Sequence, residues 1–369
     1  MKVICLEFER LFEYIKKKNL KIVMYGAGAI GKLTVPNILK QYNMLEYIDC
    51  YIDNDSRLWN QFINIEGNLF EVKSKEYLKD ISAEHIVFLN ISRFISILEE
   101  LDNLEYCKNL ICVPMAMMCI HNYVNNQNGI RTIKMDSIAH IPKLIHYIWI
   151  GNKNIPDNLQ KCLDSWKRYC PDYKIICWNE SNYNFRKNQY MREAYDNGAY
   201  AFVSDYARLD ILYHYGGIYF DTDVELIRNI DEMLYQDAFC SVEKWQVINT
   251  GGGIGAIKGH DGIKNLLDFR RNLTFLNRDG SENRTTCVVY DTEFFLQKGY
   301  IMNGCVQNIE GINIYTSDYF HPFDYASGKE QYTKNTFGIH RFNGGWLSKE
   351  MRLLNEKTAQ EYDKWYHPV

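Results

Sequence analysis

The sequence predicts an α/β protein of two parts: a parallel-sheet domain, then a second domain whose chemistry sits at strand ends. Three observations predict it. Short apolar runs alternate with amphipathic segments along most of the chain, the pattern of strands joined by helical crossovers. Near the start, a glycine loop, Gly26-Ala27-Gly28-Ala29-Ile30-Gly31, lies between a strand-like and a helix-like run. Near the middle, Gly216-Gly217-Ile218-Tyr219-Phe220-Asp221-Thr222-Asp223 is an apolar, aromatic run that ends in two carboxylates one residue apart. At 369 residues the chain is long enough for two domains of ~150 residues.

The first domain is expected over residues 1–120. Residues 6–18 form an amphipathic helix with Leu11, Phe12, Tyr14 and Ile15 inward. Lys21–Tyr25 is a strand, the glycine loop follows, and Lys32–Tyr42 is a helix. Tyr47–Ile52 is a strand ending in Asp53-Asn54-Asp55. His85–Asn90 is another, followed by a helix over Ile91–Leu101 and a short apolar run over Asn109–Val113. Residues 121–140 are polar, with Asn122, Asn125, Asn126, Gln127, Asn128 and Gly129 close together, and read as a linker.

The second domain is expected over residues 141–369. It opens with a strand over Lys143–Ile150 and a helix from Pro156 to about Tyr169. Tyr173–Trp178 is a strand. Helices follow over Phe185–Asp196 and Ala201–Tyr215, the second ended by Gly216 and Gly217. The strand Ile218–Phe220 delivers the two aspartates. Strands near Ala238–Val242 and Gly253–Ile257, a helix over Asp261–Leu273, another near Asp291 and a charged helix over Lys349–Tyr366 complete the chain.

Composition excludes several classes. A net charge of −4 with no basic block disfavours nucleic acid, because phosphate binding needs concentrated Lys and Arg. It also disfavours a polybasic membrane tether. The longest apolar stretch, Ile111–Ile120, is far short of the ~20 residues that span a bilayer. The N-terminus is interrupted by charge at once and shows no signal peptide. The eleven cysteines form no CxxC pair, so reduced, mostly buried thiols in a cytoplasmic protein are expected.

Gly26, Gly28 and Gly31, with Asp53 22 residues beyond Gly31, fit a dinucleotide fingerprint: free backbone N–H groups for a phosphate and an acid for a ribose. The other reading is a strand–turn–helix packing loop. Here the sequence resembles the small Rossmann-like modules found beside other bacterial polysaccharide enzymes.

Asp221 and Asp223 would share one side of a regular strand. Two such oxygens suit Mn²⁺ or Mg²⁺, and a dication there draws charge from a leaving diphosphate; the alternative is a solvated acidic turn. Asp205 and Arg208 are three apart in a helix and share a face, either as a salt bridge or to bind ribose or sugar hydroxyls and a diphosphate. Trp149, at a strand end, is either core or a stacking surface for a base. In the glycine-rich turn near the C-terminus, His340 or Asn343 is placed to complete the metal shell or to touch the diphosphate.

Four elements in order resemble glycosyltransferase family 32: Ile141-Pro142-Lys143-Leu144-Ile145-His146-Tyr147-Ile148-Trp149, then Ser204-Asp205-Tyr206-Ala207-Arg208, then Tyr215–Asp223, then Ile339-His340 with Trp346. The chain also looks like the catalytic domain of clostridial glucosylating toxins at Trp149, Asp205, Arg208, Asp221 and Asp223. The resemblance implies a GT-A fold, a nucleotide-sugar donor, a divalent metal and retention of anomeric configuration. Carried over, Trp149 stacks on the base, Asp223 ligates the metal directly and Asp221 bridges metal and ribose; Asn249 fits a sugar contact.

The function expected is therefore transfer of a sugar, by likeness from a UDP-sugar, to a glycan or lipid-linked acceptor in cell-surface or capsular polysaccharide synthesis. The expected location is cytoplasmic, with peripheral association at the inner face of the plasma membrane. The rival is an NAD(P)-dependent oxidoreductase of sugar nucleotides acting through the Gly26 loop.

Overall fold

In this computed structural model the described residues are 1–125, 136–151, 153–345 and 347–368. Asn126, Gln127, Asn128, Gly129 and Trp346 of the expectations above lie outside them. Both halves are α/β.

The first sheet has strands β1 (Lys2–Val3), β2 (Lys21–Tyr25), β3 (Ile48–Ile52), β4 (Phe62–Ile65), β5 (Asn68–Lys73), β6 (His85–Leu89) and β7 (Ile111–Pro114). Their order is β1-β7-β6-β2-β3-β5-β4. Every neighbouring pair is parallel except the β4–β5 hairpin. Its helices are α1 (Phe8–Lys18), α2 (Val35–Gln41), α3 (Ile95–Asp102) and α4 (Met115–Asn125). In α1 the buried residues Phe8, Leu11, Phe12 and Ile15 repeat at helical spacing and face the sheet.

Several boundaries differ from expectation. The helix expected from Lys32 begins as a π turn over Ile30–Thr34, ahead of Pro36, which has no N–H to give the preceding turn. The helix expected from Ile91 starts at Ile95, because Ile91 and Ser92 are spent lining a cavity over the glycine loop. The β4–β5 hairpin was not anticipated. Its turn has positive φ at both Glu66 (50°) and Gly67 (87°), the geometry of a two-residue hairpin turn. Helix α4 carries the chain to Asn125, into the stretch expected as a linker.

The second sheet is built from β8 (Leu144–Ile148), β9 (Lys174–Trp178), β10 (Gly217–Tyr219), β12 (Ala238–Val242), β13 (Ile248–Asn249), β14 (Ile254–Ala256), β15 (Gln307–Ile309) and β16 (Ile312–Tyr315), with β11 (Val224–Leu226) outside it. Its order is β15-β16-β12-β14-β10-β8-β9, with β13 on β12. The β9-β8-β10 side is parallel, and β14 runs antiparallel to both β10 and β12. Two small ladders lie apart from it: β17 (Phe323–Asp324) with β18 (Lys329–Glu330), and β11 with β19 (Gly338–His340).

Helices α5 (Asp157–Tyr169), α6 (Gln189–Asp196), α7 (Tyr200–Tyr215), α8 (Asp261–Arg270) and α9 (Cys287–Gln297) cover this sheet. Helix α6 starts at Gln189 rather than Phe185 because Asn188 caps it, accepting from the Met191 N–H. Helix α9 starts ahead of Asp291, after Thr286. A buried cluster around Trp166, Phe220, Phe239 and Phe320 closes one face of the sheet. The larger core runs from the first sheet on into α6, α7 and α8.

Helix α10 (Lys349–Trp365) crosses back to the first sheet. Tyr362, 2% exposed, packs its ring 6.1 Å from that of Phe94. Lys357 pairs with Glu99, and Cys5 bridges Pro368. All eleven cysteines are free thiols. Among the described residues no helix is long and apolar enough to cross a membrane.

Tyr362 should behave as a packing residue. Tyr362→Ala is expected to cost about 3 kcal/mol, in the range for deleting a buried aromatic ring. Tyr362→Phe should be neutral or stabilising, because the buried hydroxyl has no partner. Urea unfolding of the full chain distinguishes the two.

Candidate active site

The site forms where β8 and β10 end side by side. Ile218 pairs with Ile145 and Tyr219 with His146, so Trp149 and Asp221 leave the sheet at the same edge. The aspartates are not on a strand as expected: β10 stops at Tyr219, and Asp221–Asp223 form a turn before β11. The turn is held by the Asp221 N–H donating to Gly251 O (2.9 Å) and the Val224 N–H donating to Asp221 O (3.1 Å).

The β11–β19 ladder completes the site. Val224 pairs with His340, which sets the imidazole beside Asp223, Nε2 to Oδ1 3.3 Å. One ligand atom from each of Asp221, Asp223 and His340 falls within a 4.8 Å group. Asn343 takes part differently from expectation. Its backbone N–H donates to Asp223 Oδ2 (2.8 Å), while its side-chain oxygen accepts from Asn158 (3.0 Å) and so is not offered to the group.

Behind Asp221 lies Arg208, 2% exposed. Its Nη2 donates to Asp205 Oδ1 (3.0 Å) and Asp221 Oδ1 (3.2 Å), and the Tyr219 hydroxyl donates to the same Asp221 oxygen (2.8 Å). Burial pushes the Asp205 carboxyl up to about 6, against the pull of Arg208. Burial works to lower the Arg208 guanidinium, but Asp221, Cys287, Tyr219 and Asp205 together outweigh it and hold the charge on. Asp205 and Arg208 are thus both salt bridge and support: they fix Asp221 from within and show no face to solvent.

Burial also disfavours charge on both Asp223 and His340, yet each stabilises the other. Asp223 is held below the usual carboxylate range and His340 above the usual imidazole range. Two carboxylates within reach of one imidazole are a donor set that fits a divalent cation. A cation must displace the imidazole proton to use that nitrogen. Asp221 and Asp223 are the residues that would hold it, with His340 alongside.

Trp149 is half-buried, and its Nε1 donates to Lys153 O (2.6 Å), which pins the ring. Asn249, 4% exposed, supports the loop: its side-chain oxygen accepts from the N–H groups of Gly251 (2.8 Å) and Gly252 (3.1 Å). Its amide donates to the buried Glu243 (2.7 Å). Sequence reasoning missed Glu243 and His321. His321 is fully buried, its ring 5.3 Å from that of His340 and its Nε2 without a partner. Both come from loops far from the DxD turn in sequence, and no spacing points to them. A second buried pair, Arg270 with Asp291, braces the same region from α8 and α9, and Thr250 donates to Asp291. Gly26, Gly28, Gly31 and Asp53 are not part of this site; they lie together at the edge of the first sheet.

Residues 156–240 match the glycosyltransferase sugar-binding region containing the DXD motif. A glycosyltransferase of Acanthamoeba polyphaga mimivirus is 30% identical over 200 residues, 51% of this chain and 76% of that protein. Inositol phosphoceramide mannosyltransferase 3 of Schizosaccharomyces pombe is 34% identical over 150 residues, 37% of this chain and 40% of that protein. Among solved structures, the PaToxG glycosyltransferase is 23% identical, covering 43% of this chain and 69% of that one, at a TM-score of 0.35. The matched DXD-containing region and the two sequence relatives define a transferase. The chain belongs to the glycosyltransferases that carry the DXD-containing sugar-binding region. The oxidoreductase alternative gains no support from these relatives.

Gly251 is where the site is tightest. A Cβ there would lie 2.1 Å from Asp221 Oδ2 and 3.1 Å from Arg208 Nη1. Gly251→Ala is expected to displace the Asp221 carboxylate, weaken Mn²⁺ binding and cost about 1–3 kcal/mol, the usual range for overpacking. Mn²⁺ titration followed by electron paramagnetic resonance, with urea unfolding in parallel, reads both effects. Unchanged Mn²⁺ affinity would count against the packing described.

Proposed function

We propose that the protein is a metal-dependent, retaining glycosyltransferase of GT-A type that uses a nucleotide-sugar donor. The observation that carries this reading is the convergence of Asp221, Asp223 and His340 at the edge where Trp149 also ends its strand. A divalent cation held there would neutralise charge on a departing nucleoside diphosphate. Uridine diphosphate is the nucleotide proposed, with Trp149 as the surface for its base.

The chain's own groups divide the work. Asp221 and Asp223 would supply the oxygens that hold the cation. Arg208 fixes Asp221 from behind, and its positive charge, in a buried setting where charge acts strongly, would favour negative charge gathering at the turn. Asp205 holds Arg208 in place. Asn249 shapes the Gly251–Gly252 loop against Asp221. No acid is assigned as a covalent nucleophile, so retention is read as same-face displacement within an ion pair.

The acceptor proposed is a glycan or lipid-linked sugar in cell-surface or capsular polysaccharide synthesis, with the enzyme in the cytoplasm against the inner face of the membrane. A lipid acceptor gains weight from the fungal relative, an inositol phosphoceramide mannosyltransferase. That relative is also a mannosyltransferase, so a mannosyl donor is the second reading. The chain spans 40% of that protein.

Two measurements test the proposal. In a thermal-shift screen, UDP with Mn²⁺ should raise Tm well above either alone, because ligands that bind only the folded state stabilise it. EDTA should remove the gain, and GDP serves as the arm for the mannosyl reading; failure of both nucleotides to respond to Mn²⁺ would sink the donor assignment. Asp223→Asn is expected to lower kcat at least about 100-fold, near 2.7 kcal/mol. Near-normal turnover with metal still tightly bound would remove Asp223 from its role.

A further inference from the structure

The glycine loop of the first sheet has no part in the site above, yet it borders a cavity of about 330 Å³. The cavity is lined by Gly26, Gly28, Asp53, Asn54, Asn90 and Ser92 among others. It lies outside the C-terminal ends of β2, β3 and β6. From β2 the chain adds β3 and β5 on one side, then returns to add β6 and β7 on the other. The β2/β6 boundary is thus the point where strand order reverses, and in open parallel sheets ligands bind in the crevice at such a point.

The three glycines have separable reasons to be there. Gly26 has φ +107°, a conformation side chains resist. Gly31 packs against the loop itself, since a Cβ there would stand 1.9 Å from Gly26 O. Gly28 has neither reason. Its φ is not in the left-handed region, it is exposed, and an added Cβ would meet no protein atom within 4 Å. The packing of the protein does not call for a glycine at this position. Close approach of a phosphate to the backbone does.

Two side chains speak to the rest of the ligand. Asn90 is 3% exposed, and its side-chain oxygen has no hydrogen-bond partner; a buried acceptor left unmatched costs about 1–3 kcal/mol. Asp53 accepts one backbone N–H on each oxygen, from Ala27 (2.7 Å) and Asp55 (2.8 Å). A carboxylate has about four acceptor positions, so Asp53 retains capacity for two further donors. Among the described residues no Lys or Arg lines the cavity, which favours an unsubstituted ribose diol beside Asp53 over a second phosphate. The volume is at the lower end of the ~300–1,000 Å³ of small-molecule sites, the size for a nucleotide rather than a larger cofactor.

We infer that the first sheet holds a second, metal-independent ribonucleotide site, with phosphate on the N–H groups around Gly28, ribose diol on Asp53, and Asn90 accepting from the ligand. It is independent of the sugar-transfer reading, because the carboxylate pair would bind its nucleotide through a metal.

Isothermal titration of the full chain in EDTA with ADP, UDP and GDP tests it. At least one of the three should bind, one per chain. Gly28→Val should weaken that binding at least about tenfold with Tm unchanged, while Asp223→Asn leaves it intact. The 2′-deoxy form of the best nucleotide should bind wild type at least about fivefold more weakly; this comparison decides the matter if Gly28→Val does not fold. No binding by any of the three in EDTA overturns the site. So does an affinity indifferent to a folded Gly28→Val, an equal affinity for the 2′-deoxy form, or loss of binding in Asp223→Asn.

Discussion

A single buried guanidinium organises the second half of the molecule. Arg208 sits 2% exposed between Asp205 and Asp221. A charge in that position is tolerable only when paired and hydrogen-bonded. Asp205 supplies one partner from the same helix, so Asp221 must supply the other from the strand end. This fixes the distance between α7 and the tip of β10 and gives the first aspartate of the DxD turn a defined position. The residues that look most reactive in the sequence are held by one that cannot touch solvent.

The second constraint is topological. His340 lies more than a hundred residues beyond Asp223, and the β11–β19 ladder brings them together outside the main sheet. The pairing does two tasks: it stops the turn from fraying, and it places an imidazole against a carboxylate. The buried Asn249–Glu243 contact restrains the Gly251–Gly252 loop to which the Asp221 N–H bonds. The site is therefore preorganised both by a ladder outside the main sheet and by the end of β13 within it.

How much was legible follows from how local each signal is. Strands β2, β3, β6 and β7 and most helices were readable, because apolar spacing and glycine punctuation are contained within ten or so residues; the short β1 and the β4–β5 hairpin were not. The DxD turn and Trp149 were readable because each lies next to a strand end whose direction the pattern gives, and Asp205 with Arg208 because residues three apart in one helix share a face. Helix starts at Ile95 and Gln189 were less so, since a cavity lining and an Asn188 cap decide them. Glu243 and His321 left no trace, because burial against distant segments makes them relevant. The role of Asn343 was placed correctly in space but on the wrong atom: its backbone, and not its side chain, meets Asp223.

The return of α10 to the first sheet has a consequence for biosynthesis. Helix α3 ends at Asp102, and the helix that covers Phe94 begins at Lys349, so roughly 250 residues separate an apolar face from its lid. At a translation rate of ~5–20 residues per second, that face waits on the order of 10–50 s on the ribosome before Tyr362 can reach it. The nascent chain thus carries an adhesive patch through most of its own synthesis, and a trigger-factor-like holdase would find it there.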